Sequence, residues 1–296
     1  VHRIPAATSI RIVVRSRFQQ AFGPGPILQW LLAQAWMEHT QLTLQSNNEE
    51  QDVAKLRHAL NSNLPEEDIE RELEGIFVST SGYRDTVETT LSEFYAATEA
   101  GSSLIVVPSS TEAYQLNSII HEDVVLGANE SKTETPTVRL GGSESATRGE
   151  PVICLRDVPE LGLVAGAVGQ ICIIETGYAY EIRRGQPVRI AATASFELTG
   201  TISLSSEDLL KLSLAYALPA QRCQFRYCEN VVVMLTNSPS LNRRWMHKAA
   251  CCAYRTLKIV GEPAHLKDCL DEPGAPTNTV WGPLGTVSGS TTRATQ

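Results

Sequence analysis

Apolar positions along this chain change their spacing from segment to segment, and the changes mark the elements. Ile10, Ile12, Val13 and Val14 give residues 9–16 strand character, with Arg11 and Arg15 at charged positions of an edge or an arm. Gly23-Pro24-Gly25-Pro26 breaks the chain. Pro26 suits the first turn of a helix predicted over residues 27–45, which carries Trp30, Leu31, Ala35, Met37, Leu42 and Leu44 on more than one side. Val53, Leu56 and Leu60 predict a second helix over residues 50–60. A third starts near Pro65, with Ile69, Leu73 and Ile76 as its stripe and Glu66, Glu67 and Asp68 in the first turn, where carboxylates suit the helix dipole. Residues 86–100 predict a further helix, with Val87, Leu91, Phe94 and Tyr95 inward. Residues 103–107 then form a short apolar strand. A Ser/Thr turn follows it and leads into a helix through Ile120 that Ser109, Ser110 or Thr111 can cap.

Residues 127–149 are rich in Ser, Thr, Glu and Gly and read as a linker or long surface loop. Beyond them the period becomes two. Short β-branched runs at 152–155, 169–174, 178–182, 196–198 and 201–204 are separated by turns, and Ser205 can cap a closing helical turn at 205–210. Arg183 to Ser195 reads as a long inserted loop carrying Arg183, Arg184 and Arg189. Further on, residues 230–235 predict a buried strand. A helix beginning at Pro239-Ser240 would place Leu241, Trp245, Ala249, Cys252 and Ile259 near one face. Arg243, Arg244, His247, Arg255 and Lys258 would lie largely opposite, with Lys248 nearer the edge.

Val152, Leu155, Asp157, Pro159, Gly162, Leu163, Gly166, Gly169 and Ile171 make a pattern that resembles a family of small SH3-like β-barrels of unknown function. Its Gly-x-x-Gly-x-Ile kernel is similar to SH3-like modules of ribosomal and transcription proteins. The resemblance covers about a fifth of the chain, residues 150–212, and implies a fold and not a reaction, since such barrels serve unrelated roles. The fold class expected is therefore α+β. A mostly helical domain (1–126) and a linker (127–149) precede an SH3-like barrel (150–214). A basic, Cys/His-containing helical segment (215–270) and an extended tail (271–296) complete the chain.

Charge and chemistry narrow the function. The net charge of -8 argues against coating nucleic acid by bulk electrostatics but leaves room for a local basic patch. No apolar run reaches the length of a membrane span. The opening Val1-His2-Arg3 fits either a removed methionine or a cleaved leader. Cys223, Cys228, His247 and Cys251 are the candidate zinc set, but no Cys-x-x-Cys knuckle accompanies them. Seven cysteines, an odd number, read better as buried thiols of a reducing compartment than as disulfides. Gly-x-Ser-x-Gly, His-Glu-x-x-His, Gly-x-Gly-x-x-Gly and Walker patterns are missing from the sequence. The tail is rich in Pro, Gly, Thr and Ser, with Trp281 among its few anchors. The leading expectation is a non-catalytic structural or adaptor subunit of a large multiprotein assembly, without a cofactor. Its partner-binding residues would be Arg183, Arg184, Arg243, Arg244, Lys248 and Trp281. An RNA-binding component of a ribonucleoprotein or viral particle is the alternative, and a Cys/His or zinc-dependent enzyme is the third reading.

Overall fold

The computed structural model describes residues 51–61, 66–129, 135–197, 199–223 and 228–271. The expected strand at 9–16, the helix at 27–45 and the tail with Trp281 lie outside the described residues. In chain order the elements are α1 (Gln51–Asn61), α2 (Glu66–Glu72), β1 (Phe77–Ser79), α3 (Tyr83–Ala100), β2 (Ser103–Val107) and α4 (Ser110–Asn129). Then come β3 (Thr137–Arg139), β4 (Ser145–Thr147), β5 (Pro151–Cys154), β6 (Val168–Arg183), β7 (Gln186–Phe196), β8 (Gly200–Leu204), α5 (Ser206–Leu209) and β9 (Leu212–Leu214). β10 (Ala217–Pro219), β11 (Cys228–Met234), α6 (Arg243–Ala250), β12 (Ala253–Gly261) and α7 (Pro263–Asp271) follow.

Five of these strands make a parallel sheet in the order β1-β12-β11-β2-β10. Parallel strands need crossovers, and helices supply them on both faces, so the strands are buried on both sides. That is why Leu104, Ile105, Val106 and Val107 are all buried, as are Val231, Val232, Val233 and Met234. Leu104 and Val106 face one layer with Leu56 of α1 and Trp245 of α6. Ile105 and Val107 face the other, with Phe94 of α3 and Leu116 and Ile120 of α4. The core is thus an α/β sandwich, which corrects the expected α+β class and its helical N-terminal domain.

Between α4 and β10 the chain makes a detour into a second core. Its antiparallel sheet runs β8-β7-β6-β5-β9, and β3 pairs with β4 beside it. The expected SH3-like barrel is corrected here: the sheet is open, with β8 and β9 as separate edges rather than neighbours. Val138, Leu140 and Ala146, from the stretch read as linker or loop, are buried in this core with Val152, Ile171, Phe196 and Leu212.

A second correction falls on the C-terminal helical segment. The helix stops at Ala250, capped at its start by the Asn242 side chain, which accepts from Trp245 N at 2.9 Å. Residues 253–261 are β12, between β1 and β11. Ile259 follows Trp245, Ala249 and Cys252 at helical spacing, but Leu257 and Ile259 also alternate with half-buried Thr256 and Lys258. The alternation prevails because the sheet needs a central strand there. The basic helical face dissolves with it. Arg255 donates to Ala100 O at 3.2 Å and Lys258 to Gly75 O at 2.9 Å, tying β12 to the end of α3 and to the turn before β1.

Candidate functional site

β6 and β7 form one long hairpin, 16 and 11 residues, in place of the inserted loop expected at Arg183 to Ser195. Near its base, a Cβ on Gly169 would lie 2.7 Å from Ser195 O and from the Phe196 ring, so the two strands close there because residue 169 has no side chain. At its tip, Arg184 and Gly185 both take positive φ, 50° and 77°, between the paired residues Arg183 and Gln186. Two consecutive positive-φ residues are the backbone of a type I′ turn, whose twist matches that of the strands.

Register assigns the faces of the hairpin. Tyr180 stands opposite Arg189 and Ile182 opposite Pro187, so Tyr178, Tyr180, Ile182, Pro187 and Arg189 share one face. That face is bare: Tyr178 is 84% exposed, Tyr180 60% and Ile182 69%. The Arg189 guanidinium lies over the Tyr178 ring, 5.2 Å from its centroid, a cation–π contact that orients both groups. Sequence alternation had marked residues 178–182 as a half-buried strand. Alternation alone does not say which face is covered, and here the tyrosines take the open one.

Arg183 points to the opposite face and fixes the hairpin to the module. Its Nη1 donates to Asp208 Oδ2 at 2.7 Å and its Nη2 to Ser203 O at 2.5 Å. Burial alone would raise the Asp208 carboxyl. Donation from Arg183, Ser205 and Lys211 outweighs it and holds the group below its usual pKa. Ser205 and Asp208 also form a reciprocal capping box at the start of α5.

The other residues singled out in the sequence are dispersed. Arg184 at the hairpin tip makes an exposed ion pair with Glu160 at 3.0 Å, of a kind that contributes little. Arg243 is half-buried and donates to Leu270 O at 3.2 Å, tying α6 to α7, while Arg244 is exposed. Lys248 is fully buried, and burial lowers its pKa to about 8. His247 is buried beside Cys251 (Nε2 to Sγ 3.7 Å). Burial first, and Arg57 second, lower its pKa to about 4. Cys223 and Cys228 are buried in the same core. Among the described residues no three His, Cys, Asp or Glu side chains converge as they would around a metal ion. All seven cysteines are described and none is in a disulfide.

A ligand of an open α/β sheet is expected outside the carboxyl ends of its strands. There the corner between β2 and α4 is already filled. Glu112 accepts from Ser109 N at 2.9 Å and Oγ at 2.8 Å, while Ser109 Oγ accepts from Glu112 N. Thr236, just past β11, adds a bond to Glu112 at 2.5 Å. A carboxylate stands where a phosphate would sit, so this corner is a helix cap.

No family model matches the chain, and no curated protein matches it in sequence. Among solved structures it is similar to a Pif1 helicase from Candida albicans, at TM-score 0.47 and 12% identity over 71% of this chain and 53% of that one. It is also similar to a Bacteroides Pif1 bound to ssDNA, at 0.42 and 12% over 75% and 51%. A Pif1 helicase described in a study of DNA unwinding at forked dsDNA gives 0.44 and 13% over 75% and 49%. The chain spans about half the length of these structures. Among the described residues no helix is long and apolar enough to cross a membrane.

These findings correct the expectation of a non-catalytic structural or adaptor subunit. The barrel and the basic helix meant to hold its partners are not present as such. The protein contacts of a large assembly lose these two supports, while the basic arm and the tail with Trp281 lie outside the described residues.

Proposed function

We propose that this chain is the strand-gripping part of a helicase-like enzyme, and that the β6–β7 hairpin holds single-stranded DNA by stacking. One observation carries the reading: the open face that combines Tyr178, Tyr180 and Ile182 with Arg189. Proteins that hold single strands without strong sequence preference use aromatic side chains as platforms for successive bases, with arginine adding cation–π and phosphate contacts. Rings on alternate residues of one strand lie about 7 Å apart, a spacing that stretched single strands can match. The grip is rigid because Arg183 clamps the hairpin to Asp208 and Ser203 from behind.

Two further features agree with this role. The acidic total leaves stacking rather than net charge to supply the affinity. The capped corner at Ser109 gives the described core no evident phosphate cradle, so gripping, rather than fuel binding, is the task assigned to it.

The test is fluorescence anisotropy of a labelled thymidine oligonucleotide titrated with the full chain. Tyr178→Ala with Tyr180→Ala is expected to weaken binding by tenfold or more, since stacking contributes about 1–3 kcal/mol per base. Their exposure means that melting of the variant should stay near that of the parent. Equal affinity of parent and double variant would overturn the reading.

A further inference from the structure

Where the second core meets the α/β core lies a cavity of about 160 Å³, bounded by α4, the turn at Gly141–Ser143, β9 and β10. Its polar equipment is unlike that of the hairpin. Glu144, 6% exposed, lines it. One carboxylate oxygen, Oε2, accepts from Ser213 Oγ at 2.5 Å and from Leu214 N at 3.0 Å. Those bonds fix the carboxylate, and among the described residues none is made to Oε1. Burial raises the Glu144 pKa, against the opposing pull of Ser213, Leu214, Arg222 and His121. Arg222 is exposed at the rim and Tyr114 is half-open on the wall. Asn117, also on the wall, is spent on architecture: its amide donates to Leu214 O and Ala217 O and accepts from Ala217 N. It therefore shapes the cavity without offering a bond to a guest.

The arrangement offers one oriented acceptor, one exposed donor and one ring. A base edge with an amino group beside a ring nitrogen fits that set: the amino N–H donates to a carboxylate, and the ring nitrogen accepts from a guanidinium. Uracil or thymine is the weaker fit: its N3–H can donate to the carboxylate while one flanking carbonyl accepts from the guanidinium, but the second carbonyl then lies beside the carboxylate and is repelled by it. Tyr114 can lie against the base as aromatic side chains do in single-strand recognition.

We propose that this cavity is a base-reading pocket for an amino-bearing base (cytosine, adenine or guanine) over uracil or thymine, with Glu144 accepting from the exocyclic amino group and Arg222 donating to the adjacent ring nitrogen. The pocket stands on its own geometry. Only the source of the base, a gripped strand rather than a free nucleoside, rests on the function proposed above.

The experiment is saturation-transfer NMR on the full chain with cytidine, adenosine and uridine at equal concentration. Cytidine and adenosine should give signals at least about tenfold stronger than uridine, the size of discrimination one good polar pair provides. Glu144→Gln and Arg222→Ala should each remove the preference. Arg222 is exposed, so its variant decides the matter if Glu144→Gln fails to fold. Tyr178→Ala with Tyr180→Ala should leave the preference intact, even where it abolishes oligonucleotide binding. Equal signals from all three nucleosides, or a preference that survives both pocket variants, would overturn the proposal. A preference that vanishes with the hairpin tyrosines instead would overturn it too. A cytidine oligonucleotide that binds more tightly than the nucleoside, and loses that gain in Arg222→Ala, identifies the strand as the source. Without that gain, the ligand is the free nucleoside and the pocket assignment still holds.

Discussion

Lys248 shows how much a single side chain can cost this fold. It is buried among Cys223, Cys251 and Cys252, and burial brings its pKa from about 10.5 to about 8. A lysine whose folded pKa lies below its unfolded value destabilises the native state. The penalty is full below pH 8 and fades as pH rises from 8 to 10.5. Lys248→Met should therefore stabilise the protein at pH 7 by about 1–3 kcal/mol, with the gain shrinking by pH 10; urea midpoints of parent and variant at both pH values would check it. Gly169 makes the opposite case. Alanine there would press its Cβ against Ser195 O, so Gly169→Ala should cost about 1–3 kcal/mol, seen as a lower midpoint. At this scale the sequence was informative where chemistry is local. Ser205 was identifiable as a cap, Ser109 was among three candidate caps, and Gly169 just before Ile171 marked a close approach of strands. Lys248 was misleading because its burial depends on α1, β11 and β12 closing around α6, and no residue near it in sequence reports that.

The hairpin is the element on which the proposed function rests. Its stiffness depends on Arg183 reaching Asp208 across the sheet. Arg183→Met should lower stability by about 1–3 kcal/mol, since Asp208 keeps only Ser205 and Lys211. Amide exchange should speed up across residues 178–190 while β2 and β11 stay protected; uniform loss of protection over both cores would refute that account. The first hairpin strand was partly legible as runs at 169–174 and 178–182, but its length and its exposed face were not, and β7 was read as loop. The stretch beyond Arg183 read as a loop because Arg184, Gly185 and Pro187 cluster as turn residues do, although only Arg184 and Gly185 turn the chain. β12 was hidden for another reason. Trp245, Ala249, Cys252 and Ile259 satisfy a helical spacing across a real boundary at Ala250, and periodicity does not see that two elements share one stripe.

For the whole molecule, charge and topology set the terms. A chain of net charge -8 that grips DNA through rings should bind with a shallow salt dependence. The slope of log affinity against log salt should lie near -1 to -2, as expected for one or two phosphate contacts. A slope several times steeper, from titrations across salt concentrations, would point to a phosphate-tracking basic surface instead. The α/β class escaped the sequence because its parallel strands come from distant places: 77–79, 103–107, 217–219, 228–234 and 253–261. A long antiparallel detour separates the second from the third. Local patterns there mark several strands of the detour but not its open sheet, and they miss the parallel sheet because the partner of each parallel strand is not its sequence neighbour.

That same ordering has a consequence for biosynthesis. As the chain emerges from the ribosome, β1 is made early and has no partner until Ile259, Val260 and Gly261 exist. The antiparallel module can pair its strands as they appear, but the parallel sheet must wait for nearly the last described element. Contacts of such sequence separation form slowly, and strand edges left open meanwhile recruit other chains. A ribosome stalled before residue 253, or a frameshift there, would leave β11 with one bare edge and Phe77 without its cover. Such a product is destined for aggregation or degradation rather than for partial activity, and expression trials that trim the C-terminus should stop after α7 and never inside β12.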